Sequence, residues 1–407
     1  MANIERLYSD RAGKMRASVI RELLKVTQDP EIISFAGGLP NPNAFPVDDL
    51  RNVMDYVMKH NGKIALQYGT TNGLTELREI IAERACKEGV ETTAENIIIT
   101  SGSQQALDTV GKIFLNPGDT AIVGLPTYLG GINAFRSYEC NLTGIPLDKD
   151  GMRMDVLEET IKKLLKDNII PKFIYTVPTF QNPAGVVLPE SRRKKLIDIA
   201  NEYDLVIVED DPYRKLCYDI SHIKPIKAFD DVGRVIFIST FSKILAPGFR
   251  LAWTIASDEI TRKIAICKQT LDLCTNQFTQ FIAAEFIRRG SLDLHIMRIC
   301  ELYKPKRNIM MNAIEKYFPD GYVCHKPKGG MFAWATLPEG IDTETMFLDA
   351  IKQKVAYVHG KAFHVDGGGE RSMRLNFSYP ADEQIEEGIK RLGTVAKEKL
   401  EKMKAVL

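Results

Sequence analysis

Lys243 stands in STFSKILAPGFRLAW, residues 239–253, directly after the apolar run RVIFI at 234–238. Lysine is strongly hydrated and seldom fully buried, so an ammonium at the end of such a run calls for a reason. Burial and cationic neighbours lower a lysine's pKa and free its lone pair to condense with a carbonyl. Thr240 and Ser242 flank the lysine, and Arg250 follows seven residues on. Hydroxyls and a guanidinium fork are phosphate-binding types. The stretch therefore offers an imine-forming amine beside an anion cradle. The competing reading, a solvated surface lysine, sits poorly with the apolar flanks.

Four other stretches carry chemistry just past an apolar run. SGSQQALDTV follows NIIIT (96–100). A glycine turn there opens a helix whose first N–H groups lack internal partners and suit an anion. Ser103 and Gln104 can add side-chain contacts, or Ser101 or Ser103 is a plain helix cap. Tyr128 leaves TAIVGLP (120–126), where it either stacks on a flat ring or packs half-buried. Asn182 lies in TFQNPAG, before Pro183 and Gly185, and is a turn former or an amide donor to a ligand oxygen. EDDPY ends the run LVIV and contains Asp210 and Tyr213. A carboxylate leaving a buried strand needs a cationic or hydrogen-bonding partner. The alternatives are a metal site or a solvated acidic loop. No histidine adjoins, and no metal site is expected.

The elements that must position these groups are legible. Near-continuous apolar runs at 96–100, 120–126, 172–178, 205–210, 234–240 and 250–256 read as strands covered on both faces. Helical patterns such as 190–203 separate them, which implies an α/β fold with a mostly parallel central sheet. Functional groups in such sheets gather at the carboxyl ends of strands. Residues 258–289 and 291–317 read as two long helices, the second bent or interrupted at Pro305. Short strands in YVCHKPKGGMFAWATLP, VAYVHG and MRLNFS, a helix near 343–353 and an amphipathic helix from about 381 to 405 complete a smaller α+β domain. The expected division is an N-terminal arm at 1–47, a large cofactor-binding domain at 48–290 and a small domain at 291–407.

The assembled kit is a phosphate cradle, an aromatic lid, a carboxylate, donors to a ring oxygen and an imine-forming amine. Pyridoxal 5'-phosphate has the complementary parts, and a lysine with an acidic partner for the pyridine nitrogen is its known protein signature. The sequence resembles the class I pyridoxal-phosphate aminotransferases of fold type I. Within them it resembles the branch of 2-aminoadipate and kynurenine aminotransferases and the aminotransferase-like halves of MocR-type regulators. ISFAGGLPNPNAFP, LQYGTTNGLTELRE, SGSQQALD, PTYLG, PTFQNPAG, EDDPY, STFSKILAPGFRLAW, PKGGMFAW and MRLNFS carry the resemblance in family order from about 33 to 378.

The resemblance implies roles. Lys243 holds the cofactor and shuttles the proton, Asp210 keeps the pyridine nitrogen protonated, and Tyr128 stacks on the ring. Asn182 and Tyr213 bond the ring oxygen. Ser103, Gln104, Ser242 and Arg250 bind the phosphate, with Thr240 a further ligand. Arg374 clamps the substrate carboxylate, beside Asn182, and Gly38 lies in the arm that closes the pocket. Tyr68 reaches the cofactor phosphate of a neighbouring subunit, which implies a homodimer with shared sites. Arg21 meets a substrate side chain. The implied reaction is ping-pong transfer of an amino group between an L-amino acid and a 2-oxo acid such as 2-oxoglutarate, with a β-lyase as the rival chemistry. Only about 30 residues precede ISFAGG, too few for the DNA-binding domain of a MocR-like sensor. No GxGxxG follows an early strand, which counts against a nicotinamide dehydrogenase.

Bulk properties agree. Basic and acidic residues number 54 and 53, without the basic excess of a nucleic-acid binder. No apolar stretch approaches the ~20 residues of a membrane span. The seven cysteines form no CxxC pair, so reduced buried thiols in a cytoplasmic protein are expected.

Overall fold

The computed structural model describes residues 4–14, 29–221 and 223–404. Its strands, in chain order, are Ile33–Ser34 (β1), Ile97–Thr100 (β2), Thr120–Leu125 (β3), Asn141–Asp148 (β4), Gly151–Met152 (β5), Pro171–Thr176 (β6) and Val206–Asp210 (β7). They continue with Val235–Thr240 (β8), Ala252–Ile255 (β9), Val323–Cys324 (β10), Phe332–Thr336 (β11), Val355–Ala356 (β12), Val358–His359 (β13) and Ser372–Asn376 (β14).

Eight strands form one sheet in the order β2-β9-β8-β7-β6-β3-β4-β5. The pairs β4·β3, β3·β6, β6·β7 and β7·β8 are parallel, whereas β9 runs antiparallel between β8 and β2. Alternate residues feed two separate cores. Ala121, Val123, Phe173, Tyr175 and Val208 pack on one side, and Ile122, Ile174 and Ile207 on the other. Burial on both faces is why the runs read as continuous. β4 was not legible, because its mostly half-exposed residues carry no such run. The chain winds from β3 to β4 in one direction, then from β6 through β7 to β8 in the other. The reversal opens a crevice at the carboxyl ends of β3 and β6, where α/β sheets take ligands.

A second sheet has the order β10-β11-β14-β13 and is antiparallel. The segment after residue 29 meets this sheet through Asn376 N–H donating to Phe35 O at 2.9 Å, and its β1 pairs in parallel with β12 in a separate two-stranded sheet.

Two helical expectations need correction. Residues 258–289 are two helices, Asp258–Leu271 and Gln277–Arg288, separated by a non-helical stretch in which Leu273 has φ 63°. Helix Ser291–Tyr317 runs through Pro305 without interruption. The missing bond and ring clash cost about 3 kcal/mol. Burial of Tyr303 and Met310 on the flanking turns offsets that cost, and the buried Lys306 and Arg307 there are compensated by bonds to Asp382 Oδ1 and Pro327 O, both at 2.8 Å. The cysteines are unbridged, and only Cys140 and Cys267 are buried; Cys86 is exposed, contrary to expectation. Among the described residues no helix is long and apolar enough to cross a membrane.

Candidate active site

The strand ends converge as the topology requires. Asp210 is the last residue of β7 and is buried. Its Oδ2 accepts from Tyr175 Oη at 2.9 Å, while Oδ1 has no partner. Burial raises its pKa to about 7, with a smaller contribution from the neighbouring Asp211 charge. The solvated-loop reading of EDDPY is therefore wrong, since Glu209, Asp210 and Asp211 are all buried.

Lys243 lies in the turn after β8 with its side chain half-buried. Nζ donates to Gly38 O at 2.8 Å. Burial lowers its pKa to about 8, and the positive charges of Arg374 and Arg250 push the same way. The surface-lysine alternative fails on this geometry. A substantial fraction of such an amine is neutral near pH 8, which is what a nucleophile needs.

Arg374 sits at the middle of β14, opposite Trp334 of β11, and is 1% exposed. Nη1 donates to Asn182 Oδ1 at 2.9 Å and Nη2 to Ala36 O at 2.7 Å, while Nε has no partner. The guanidinium lies 4.3 Å from the Phe332 ring centroid and 5.0 Å from that of Phe363, packing that fixes its plane. Burial lowers its pKa to about 10, so it stays cationic at neutral pH. Asn182 is more than a turn former: its amide nitrogen also donates to Tyr213 Oη at 3.2 Å. Burial holds the Tyr213 phenol above its usual range, so it remains protonated. Tyr128, half-buried, follows β3 and precedes the helix Leu129–Arg136.

The anion cradle opens the helix Ser103–Phe114. Gly102 is its cap residue, with φ 81° and no side-chain cap, so neither serine caps it. Its φ favours glycine, and a Cβ there would crowd the Arg250 guanidinium away from this helix end. Arg250 itself adopts a left-handed conformation, φ 51°, which turns the chain back into β9. Ser103 Oγ is buried and unpartnered. Thr240 Oγ1 donates to Ser242 Oγ at 2.9 Å, and Ser242 N–H donates to Thr240 Oγ1 at 3.1 Å, so these two hydroxyls hold each other. Gln104 Nε2 donates to Gly130 O at 2.9 Å.

One expected member lies elsewhere and one is not described. Tyr68 is 80% exposed and borders a groove of about 510 Å³ with residues 65–67 and 274–278. Arg21 falls outside the described residues. Tyr175 and Arg193 were missed. Tyr175 is hidden inside an apolar run, and only its partner Asp210 reveals it. Arg193, 1% exposed, donates to Leu188 O, Pro178 O and Thr179 Oγ1 at 2.8–3.0 Å and so ties down the loop that carries Asn182. No group of His, Cys, Asp and Glu suited to a metal occurs among the described residues.

A phosphorylated pyridine aldehyde fits this set. Ser103 Oγ and Asp210 Oδ1 are buried polar atoms lacking a partner, at an anion-binding helix end and a carboxylate respectively. Lys243 Nζ is an amine at the same edge of the sheet, the group such an aldehyde would need.

The family described as aminotransferase class I and II matches residues 41–392. The chain is 50% identical over 399 residues to "Aromatic-amino-acid aminotransferase 1" of Thermococcus litoralis, covering 98% of this chain and 96% of that protein. It is 38% identical over 389 residues to a 2-aminoadipate transaminase of Thermus thermophilus, with 95% of each covered. The crystal structure of Pyrococcus horikoshii kynurenine aminotransferase, in complex with PMP and with KYN as substrate, superposes with a TM-score of 0.95 at 49% identity. That superposition covers 98% of this chain and 99% of the other.

Proposed function

We propose a cofactor, a substrate class and residue roles for this chain, which belongs to the class I and II aminotransferases. It is an aminotransferase of fold type I, and the family's reaction is ping-pong transfer of an amino group. The proposed cofactor is pyridoxal 5'-phosphate, attached through Lys243. The observation that carries this is the placement of Lys243 Nζ, 2.8 Å from Gly38 O in the turn after β8, at the carboxyl edge of the sheet that also ends in Asp210, whose Oδ1 has no partner.

Bound there, the cofactor supplies an aldehyde and an electron-withdrawing ring. The protein's own residues do the rest. Asp210 presents Oδ1 to a cationic ring N–H, and Tyr175 fixes the other carboxylate oxygen. Charge held in advance at a buried site stabilises a transition state without reorganisation. Lys243 Nζ takes the substrate Cα proton as general base and returns it as general acid. Arg374 grips the substrate carboxylate, Asn182 and Tyr213 orient the ring oxygen, and Tyr128 covers the ring. Ser103, Gln104, Thr240, Ser242 and Arg250 hold the phosphate.

The proposed donors are L-amino acids of the 2-aminoadipate, aromatic or branched-chain type, with 2-oxoglutarate as acceptor. The named relatives support this, as do the aromatic rings around Arg374. The working unit is a cytoplasmic homodimer in which Tyr68 serves the partner subunit's phosphate site, and Gly38 closes the substrate pocket. The domain division at 47 and 290 stands as part of this proposal; the eight-stranded sheet falls within 97–255 and the four-stranded one within 323–376.

Borohydride reduction followed by peptide mapping tests the assignment. The label should sit on Lys243 and be absent from Lys243→Ala; a label on another side chain would overturn it. A screen of amino donors against 2-oxoglutarate then ranks the substrates.

A further inference from the structure

Beneath the anion cradle lies an ion pair that touches none of the groups assigned above. Lys268, on the helix Asp258–Leu271, has a side chain only 1% exposed. Its Nζ donates to Asp272 Oδ1 at 2.6 Å and Oδ2 at 2.8 Å, and to Gln105 Oε1 at 3.4 Å. Both acceptors also hold Ser101. Its hydroxyl donates to Asp272 Oδ2 at 3.0 Å, and its N–H donates to Gln105 Oε1 at 2.8 Å. Its carbonyl faces Arg250 Nη2 at 3.5 Å. Ser101 is the residue between the end of β2 and Gly102, so its orientation sets the direction of the first helical N–H groups and of Ser103 Oγ.

An exposed pair four residues apart on a helix is worth only a few tenths of a kcal/mol. A buried ammonium is different. Its desolvation is compensated only if its hydrogen bonds are met, and removing one partner leaves an uncompensated charge. Here the bonds that meet it run to the residue that starts the cradle.

We propose that Lys268 and Asp272 are positioning residues for the cofactor phosphate: through Ser101 and Gln105 they fix the helix end that receives it. The inference rests on the cofactor assignment above. It also gives the break after Leu271 a purpose, because Asp272 begins the non-helical stretch that leads to the groove beside Tyr68.

The test compares two ligands that differ only in the phosphate. The full chain, stripped of cofactor, is titrated with pyridoxal phosphate and with pyridoxal. Asp272→Asn and Lys268→Met should each weaken pyridoxal phosphate about tenfold, the worth of one charged hydrogen bond. Pyridoxal affinity should stay within about twofold of wild type, because its ring and aldehyde contacts lie elsewhere. Lys268→Arg should restore most of the loss. Ser101→Ala deletes one hydroxyl without unpairing a charge, so it gives a smaller loss with the same selectivity and guards against variants that misfold. Equal weakening of both ligands, or unchanged binding of pyridoxal phosphate, would overturn the inference. Wild-type protein that binds neither ligand would overturn the cofactor assignment, and this inference with it.

Discussion

Glu209 and Asp210 are consecutive, both are buried, and burial raises the pKa of both. They point to opposite faces of β7, and there the likeness ends. Glu209 accepts from the N–H groups of Ile226 and Lys227 at 2.7 and 2.8 Å and lies 3.8 Å from Arg193. Asp210 has one phenol for one oxygen and nothing for the other. The carboxylate on the far face is satisfied by the fold; the one on the site face keeps an oxygen without a partner, as the proposed role requires. The same contrast separates Lys268, matched by Asp272, from Lys243, whose neighbours are a carbonyl and two guanidinium groups. A functional group here is a buried charge that the fold declines to neutralise.

Exchange of the two carboxylates for amides should break or confirm this division most directly. Asp210→Asn should lower kcat by about 10²–10³-fold, the usual size of a lost preorganised charge, with little change in melting temperature of the loaded enzyme. Glu209→Gln should do the reverse, lowering the melting temperature by a few degrees and leaving kcat nearly intact. Comparable kcat losses in both would erase the distinction.

The lysine half of the comparison has a pH signature. Lys243 is neutral above a pKa of about 8, so the rate at which it attaches an aldehyde should rise about tenfold between pH 7 and 9 and level off beyond. Stopped-flow measurement of cofactor attachment checks this. A flat profile would mean that the cationic neighbours do not set the amine's state.

The smallest expected effect concerns stability without cofactor. In the fold the Asp210 carboxyl titrates near 7, against 3.8 in the unfolded chain. Between those values the folded state binds the extra proton, so this group's contribution to stability falls as pH rises from about 4 to 7. Asp210→Asn should therefore be more stable than wild type at pH 8 by a few degrees, with no difference near pH 3.5. Calorimetry of the cofactor-free proteins would sharpen the contrast, and an equal gain at both pH values would contradict it.

Much of the site was legible because its residues follow runs that are apolar on both faces. Lys243, Asp210, Asn182 and Tyr128 each leave such a run, and parallel strands bring those ends together. Arg374 was less legible from local pattern, since MRLNFS is a short strand and only family resemblance marked its arginine. Tyr175 and Arg193 escaped because their work depends on partners distant in sequence: a phenol inside an apolar run looks like core, and an arginine among ESRRKK looks solvated. The break at 272–276 escaped for a different reason. DLCTN contains neither glycine nor proline, and its cause is tertiary, with Asp272 drawn to Ser101 and Thr275 Oγ1 donating to Ile99 O at 3.1 Å.

The arm adds a mechanical consequence. Arg374 is bonded to Ala36 O and Lys243 to Gly38 O, two residues apart on one segment. The two cations assigned to the reaction are thus also bonded to the segment above them. Condensation of the lysine amine with an aldehyde would release Gly38 O, while Arg374, the pairing of β1 with β12 and the bond from Asn376 N–H to Phe35 O would keep the rest of the segment seated.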